Sequence, residues 1–264
     1  MDIVLDWDAS TAHMPAGMKS DIELAASYLD QWITNPIDVN IHVGFKECNA
    51  TPVTTKMYEK AEFAYATESY SIVKTLLEDA GVPASSLPNL PATTNIDVSG
   101  AELKAFGLLP ANGSETDGYI GFNLSNWAYS PRAQAGNDDF VAVAESCLMG
   151  ALGHQVAPNT QAPDGNYSIA DLYRYTADGV VATPTNVQTE QVYYSQNLGV
   201  TNLGDLSNNG GNTNGTAWQN LPTDAFQYLL GIDEDLLLTV GALDIDYVAD
   251  LGFTLGPIPT GMNG

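Results

Sequence analysis

Nine consecutive residues constrain this chain more than any others. Ile37-Asp38-Val39-Asn40-Ile41-His42-Val43-Gly44-Phe45 alternates apolar and polar positions without a break. Successive side chains of a strand point to opposite faces, so Ile37, Val39, Ile41, Val43 and Phe45 share one face. Asp38, Asn40, His42 and Gly44 share the other. Such a segment requires a sheet whose apolar face is covered, and two helical patterns can cover it. From Met18 to Ile33, residues Ile22, Ala25, Ala26, Leu29 and Ile33 recur at helical spacing. Asn35-Pro36 ends that helix, because a residue before proline is pushed out of the helical region. Asn137-Asp138-Asp139 then caps a strongly apolar helix, Phe140 to Leu152, which Gly153 closes.

The remaining segments are less regular. Ile3-Val4-Leu5 reads as a short strand before a polar turn, Asp6 to Thr11. Glu59 to Ala80 reads as mostly helical, with Tyr70, Val73, Leu76 and Leu77 as its buried stripe and Gly81 and Pro83 as its stop. Val82 to Thr94 is a proline-rich surface loop. Ser99 and Glu102 form a capping box for a short helix reaching Phe106. Asp117 to Asn123 is a turn and a strand. Beyond Gly153, Tyr167 to Tyr175 reads as a short helix and Gln191 to Ser195 as a strand. Gly204 to Thr216 is dense in Asn and Gly, and Thr223 to Leu230 and Leu243 to Leu251 read as two last helices. Pro257 to Gly264 is expected to be a loose tail or a linker.

The charge balance narrows the partners. Eight Lys+Arg stand against 32 Asp+Glu, a formal net charge of -24. Such a surface repels phosphate backbones and anionic lipid heads, which excludes nucleic acid as a partner class. It suits an extracellular or salty medium or divalent cations, and solubility alone accounts for it equally well. Asn, Thr, Ser and Gly in place of Lys and Arg point to a secreted or cell-surface protein. Cys48 and Cys147 are too few for a disulfide framework. No apolar stretch reaches transmembrane length, so membrane insertion is not expected. Asp2, Asp6 and Asp8 fall where a signal peptide would be basic and then apolar, so Met1 opens none.

The helix from Asp139 to Gly153 carries the functional question. Asp139-Phe140-Val141-Ala142-Val143-Ala144-Glu145-Ser146-Cys147 resembles the approach to a His-Glu-x-x-His helix. Further matches are Ile41 to Gly44, Asp117 to Phe122, Tyr167 to Tyr175, Tyr193-Tyr194-Ser195, Gly210-Gly211 with Trp218, Asp224-Ala225-Phe226, and Asp246 to Gly252. Across nearly its whole length the chain therefore resembles a family of bacterial secreted zincin-type metalloproteases. The resemblance implies an α+β, zincin-like fold: a mixed twisted sheet, a central helix at the former active site, and a loop-rich C-terminal part. It divides the chain into an N-terminal subdomain, 1–153, with its central helix at 139–153, then 154–256, and a tail at 257–264. In such a motif two histidines four apart hold one zinc and the glutamate acts on the bound water. Here those positions carry Ser146, Cys147 and Gly150, and the third ligand of the extended spacing falls on Val156. Zinc needs about four good donors, and these residues supply none, so neither zinc nor a catalytic residue is expected at this helix.

The resemblance with the lost ligands implies a pseudoenzyme acting through protein contacts or self-association, in extracellular assembly, adhesion or recognition. One alternative is an active metallopeptidase or other hydrolase with a divergent metal site. Another is an acidic, calcium-stabilised surface or filament-forming structural protein, with Asp233, Asp235, Asp244 and Asp246 as its calcium candidates, although no EF-hand spacing is present. Asn208 to Gly215 with Asp205 reads as tight turns before it reads as a calcium loop. Cys147 and His154 are separated by about 10.5 Å of helical rise, too far for a thiol dyad. His154 is placed to meet the helix dipole. Ser146 lacks the Gly-x-Ser-x-Gly elbow. His13, His42 and His154 have no partner at ligand spacing, and Asp171 with Arg174 reads as a local ion pair. If the chain self-associates, carboxylates must meet, so calcium or high salt should favour assembly. Light scattering in matched calcium and sodium chloride titrations checks this, and an unchanged assembly state in both discards self-association.

Overall fold

The computed structural model describes residues 1–54, 59–125, 127–130, 138–155, 166–183, 190–206 and 241–259. Strands β1 (Asp2–Trp7) and β2 (Asp38–Phe45) are joined by helix α1 (Ala16–Trp32) and pair in parallel. A parallel pair needs such a crossover, and a helix is its usual form. Strand β8 (Gly118–Phe122) adds in parallel to β2, and β5 (Glu59–Phe63) closes the sheet antiparallel, giving the order β1-β2-β8-β5. The alternation holds: Ile37, Val39, Ile41, Val43 and Phe45 are all buried. α1 buries Met18, Ile22, Ala25, Ala26, Leu29 and Trp32.

Helix α4 (Phe140–Leu152) packs against α1, β5 and β8. Its N-cap is Asp139, whose carboxylate accepts from the Val141 amide at 3.1 Å, and Gly153 ends it with φ at 121°. Every residue of α4 except Ser146 is buried. Phe140 anchors its first turn among aromatic rings, with centroids 5.1 Å from Phe122, 5.3 Å from Trp127 and 5.6 Å from Tyr129.

Two helical readings need correction. Glu59 to Ala80 is not one helix but β5, then β6 (Tyr65–Ser69), then α2 (Tyr70–Asp79). Ala61, Phe63 and Tyr65 repeat every second residue, and the 3.6 spacing starts only at Tyr70, Val73 and Leu77, which are buried. Tyr167 to Tyr175 is strand β11 (Tyr167–Ser168), a single 3-10 turn (Ala170–Tyr173) and strand β12 (Arg174–Ala177). Ser168 and Asp171 hydrogen-bond reciprocally across that turn, and β11 pairs with β7 (Asn95–Ser99). The chain is thus held in sheets on both sides of the turn, which leaves no length for a helix.

β6 and β11 flank β7 in a second sheet, and α3 (Gly100–Ala105) follows β7 with the expected Ser99–Glu102 capping box. A third, antiparallel sheet runs β13 (Val180–Val181), β12, β14 (Val192–Tyr194), β15 (Gly204–Leu206). Two-stranded pairs are formed by β3 (Glu47–Cys48) with β4 (Thr51–Pro52), and by β9 (Trp127–Ala128) with β10 (Asp138–Asp139). Helix α5 (Ala242–Asp250) falls where Leu243 to Leu251 was expected to be helical. Leu172, Tyr194, Tyr247 and Phe253 belong to the same core cluster as Ile22, Val43 and Leu148, so Gly153 marks a turn of the chain and not a gap in the core. The expected tail starts against the body: Gly256 N–H donates to the Trp32 carbonyl at 2.7 Å, and Ile258 packs on the core. Asn208 to Gly215, Thr223 to Leu230, Asp233 and Asp235 lie outside the described residues.

Two buried charges define the junction of these layers. Lys104 Nζ donates to the Asp38 carbonyl at 2.8 Å, to the Gly113 carbonyl at 3.1 Å and to Asp117 Oδ2 at 2.5 Å, and both side chains are about 2% exposed. Removing one partner of a buried pair strands the other charge, so Lys104→Met should cost about 3–5 kcal/mol, read from urea denaturation. Glu102 is also buried, with Oε1 at the C-terminal end of α4, where a Cβ on Gly153 would meet it at 2.6 Å. Burial pushes its carboxyl from the ordinary 4.5 up to about 8, against the Ser99 hydrogen bonds that pull it down. The folded chain therefore keeps a proton on Glu102 that the unfolded chain loses, so the contribution of Glu102 to stability should fall as pH rises from about 4.5 to 8. Glu102→Gln should flatten that slope in urea midpoints measured at pH 5 and pH 8.

Candidate functional site

Of the three positions aligned with the zinc motif, Cys147 and Gly150 are packing positions. Ser146 is half-buried and Cys147 is buried. Gly150 faces Ala61 of β5, and a Cβ added there would lie 3.1 Å from the Ala61 methyl. A ligand side chain at 150 would have to push the edge strand off the helix. Val156 lies outside the described residues. The Cys147 thiol is held well above its ordinary pKa by burial first, then by Glu59 and Cys48, which removes thiolate character. Cys48 is pushed up to about 12, mainly by burial, and both cysteines are free thiols.

His154 does not cap α4 as an imidazolium. Its amide donates to the Met149 carbonyl at 3.0 Å, and its ring stands edge-on to Tyr247 with centroids 4.6 Å apart. Burial lowers its pKa to about 4, so at neutral pH the ring is uncharged. The Asp171–Arg174 ion pair does form, and it is buried. Asp244 turns back on its own helix start, accepting from the Gly241 amide at 2.6 Å, while Asp246 is exposed. Asp205 accepts from Asn202 at 2.7 Å. None of these acids joins a group of three potential ligands among the described residues.

One group of that kind is present among the described residues: Asp8, His42 and Glu47, whose ligand atoms all lie within 4.8 Å of one another. The fold explains the meeting. Parallel pairing sets Asp6 opposite His42 and Trp7 opposite Val43, so the chain leaves β1 and β2 at the same end of the sheet. Asp8 follows β1 and caps the 3-10 turn Ala9–His13, where a plain polar turn was expected. Its Oδ1 accepts from the Ser10 hydroxyl and from the Ser10 and Thr11 amides at 2.7 and 3.3 Å. Its Oδ2 lies 3.8 Å from His42 Nε2. On the other side of the ring, Nδ1 is 3.3 Å from Asp6 Oδ2.

Glu47 begins β3. Its Oε2 accepts from the Ala50 amide at 2.6 Å, while Oε1 is buried with no hydrogen-bond donor. Gly44 makes room for it, since a Cβ at that position would stand 2.0 Å from Oε1. The Glu47 and Asp8 carboxyls bear on each other's ionisation. Burial, then contact with Asp8, raises the Glu47 pKa against the Ala50 amide and His42. Burial alone would raise Asp8, but the neighbouring Glu47 carboxyl and the bonds from Ser10 and Thr11 outweigh it and hold Asp8 below its ordinary value.

Sequence reasoning placed His42 on the polar face of its strand but found it no partner. Parallel pairing brings Asp8 to His42 and Glu47 across a whole helix of sequence, so no spacing rule reports the group. The available signal was the polar run at the end of β1 matched to the polar face of β2. Comparison with protein families, characterised proteins and solved structures finds no match to this chain.

The packing at Gly150 gives a direct check. Gly150→Ala should be close to neutral, because the helix gains about 1 kcal/mol while Ala61 shifts slightly. Gly150→His should cost about 1–3 kcal/mol by overpacking. Thermal unfolding of the two variants measures the difference.

Proposed function

We propose that the chain is a non-catalytic, zincin-like module acting outside the cell in recognition or assembly. The observation that carries this reading is the burial of α4 up to Gly150, which meets the edge strand where the zinc motif would need a ligand. The order of elements supports the zincin part: a long helix, an alternating strand, further strands, then the apolar helix packed on the sheet. The acidic surface disfavours nucleic acid and anionic lipid, which leaves proteins as the partner class, with copies of itself only where salt or divalent cations screen the carboxylates. Among the described residues no helix is long and apolar enough to cross a membrane.

Incubating the purified chain with an unfolded protein substrate, with added Zn2+ or with chelator, tests the reading. The expected outcome is no cleavage under either condition. Cleavage that a chelator stops and that Gly150→His abolishes would overturn it, because it would place hydrolysis at the α4–β5 seam.

A further inference from the structure

We propose that Asp8, His42 and Glu47 form a binding site for a divalent transition-metal cation of zinc's class, held by Asp8 Oδ2, His42 Nε2 and Glu47 Oε1. Two features beyond the clustering of the donors point to a cation. The first is how each carboxylate is used. Asp8 Oδ1 accepts from Ser10 and Thr11 and Glu47 Oε2 from Ala50, so the other oxygen of each is the one available to the site. Glu47 Oε1 is buried without a donor, in space that Gly44 keeps open. The second is the orientation of the imidazole. Asp6 Oδ2, 3.3 Å from Nδ1, favours a proton on that nitrogen over Nε2, the arrangement by which a carboxylate orients a metal-binding histidine. The separation of 3.8 Å between Nε2 and Asp8 Oδ2 is too long for a good hydrogen bond. It suits two ligands each about 2.0–2.2 Å from a common ion.

The donor set chooses the class of ion. Calcium takes about 6–8 oxygens, and magnesium prefers oxygen and water. One imidazole with two carboxylates suits zinc or manganese, and three protein ligands leave a coordination position to solvent. The side chains of His42 and Asp8 are 29% and 19% exposed, so an ion can enter from water. A bound ion would tie the turn after β1 to the turn after β2 across the end of the parallel pair. The inference does not rest on the reading of α4, since none of its ligands lies on that helix.

Isothermal titration of the metal-stripped full chain with Zn2+, Ca2+ and Mg2+ is the test, with far-UV circular dichroism confirming the fold of each variant. One Zn2+ per chain is expected, with Ca2+ and Mg2+ binding at least about 100-fold more weakly. Glu47→Gln and His42→Ala should each lower Zn2+ affinity at least about 100-fold, and Asp6→Asn about 10- to 100-fold. His13→Ala and Ser146→Ala should leave it unchanged. No stoichiometric binding, or binding that survives both Glu47→Gln and His42→Ala, overturns the proposal in favour of diffuse attraction to an acidic surface. Co2+ added to the wild-type chain provides a readout independent of the variants. Intense visible bands of a four- or five-coordinate ion support the site, and the weak spectrum of six-coordinate aqueous Co2+ overturns it.

Discussion

The layers of this protein meet at Asp117. Its side chain accepts from Lys104 of α3 and from the Asn40 amide of β2, and its own amide donates to the Asn40 carbonyl. Its carbonyl accepts from Ala64, the residue between β5 and β6, and the Ala64 carbonyl in turn accepts from Gly100. One residue therefore fixes where β8 enters the first sheet, where the chain passes from that sheet to the second, and where α3 begins. Gly100 has no side chain because the Asp117 carboxylate occupies that space: a Cβ there would lie 2.5 Å from Oδ1. A carboxylate buried this deeply is tolerable only with a cation and several N–H donors on it. Lys104, one of eight cationic side chains in the sequence, is accordingly in the interior.

That placement shows how a chain with 32 acids and eight Lys+Arg is built. Ion pairs cannot satisfy most of its carboxylates, and among the described residues the backbone takes up several of the buried and half-buried ones. Asp8, Asp30, Asp139, Asp171 and Asp244 each accept from a main-chain amide, at the start of a helix or turn or, for Asp30, at the first strand. Glu47, Glu102 and Asp21 do the same at Ala50, Ser99 and Ser130. Carboxylates suit the N-terminal ends of helical turns, where amides are unpaired. The acidic composition is thus partly architectural, and it is not simply a solvated skin.

Local pattern made much of this readable. The alternation at 37–45 and the apolar run at 140–152 each follow from burial on one face or all round, and burial acts on neighbouring residues. The Ser99–Glu102 box and the Asp139 cap follow from hydrogen bonds spanning two or three residues. The reading failed where pairing with a distant strand decided the local state. Glu59 to Ser69 contains good helix formers, but its backbone partners are β8 and β7, more than 25 residues away. Pairing of that range overrides propensity and leaves only a weak two-residue rhythm in the sequence. The zinc-motif alignment puts a lost ligand at Gly150, yet the contact that opposes a large side chain there, Ala61, belongs to β5, where the sequence predicts a helix. One misread element hid the environment of another.

The same reasoning separates the strand ends from α4 as places open to a ligand. A helix packed between α1 and a sheet serves as a site only if one face is left open, and here Ser146 alone escapes burial. The end of the β1/β2 pair has the opposite character. In a parallel pair both chains leave at the same end, so the residues that follow each strand are brought together without being packed over. Open α/β sheets commonly bind ligands at this end. Asp8 arrives from the turn after β1, Glu47 from the turn after β2, and His42 from the polar face between them. The alternation that buries Val39, Ile41 and Val43 also turns His42 away from the core. A single sequence pattern therefore builds the interior on one face of the sheet and sets His42 on the other, where Asp8 and Glu47 meet it.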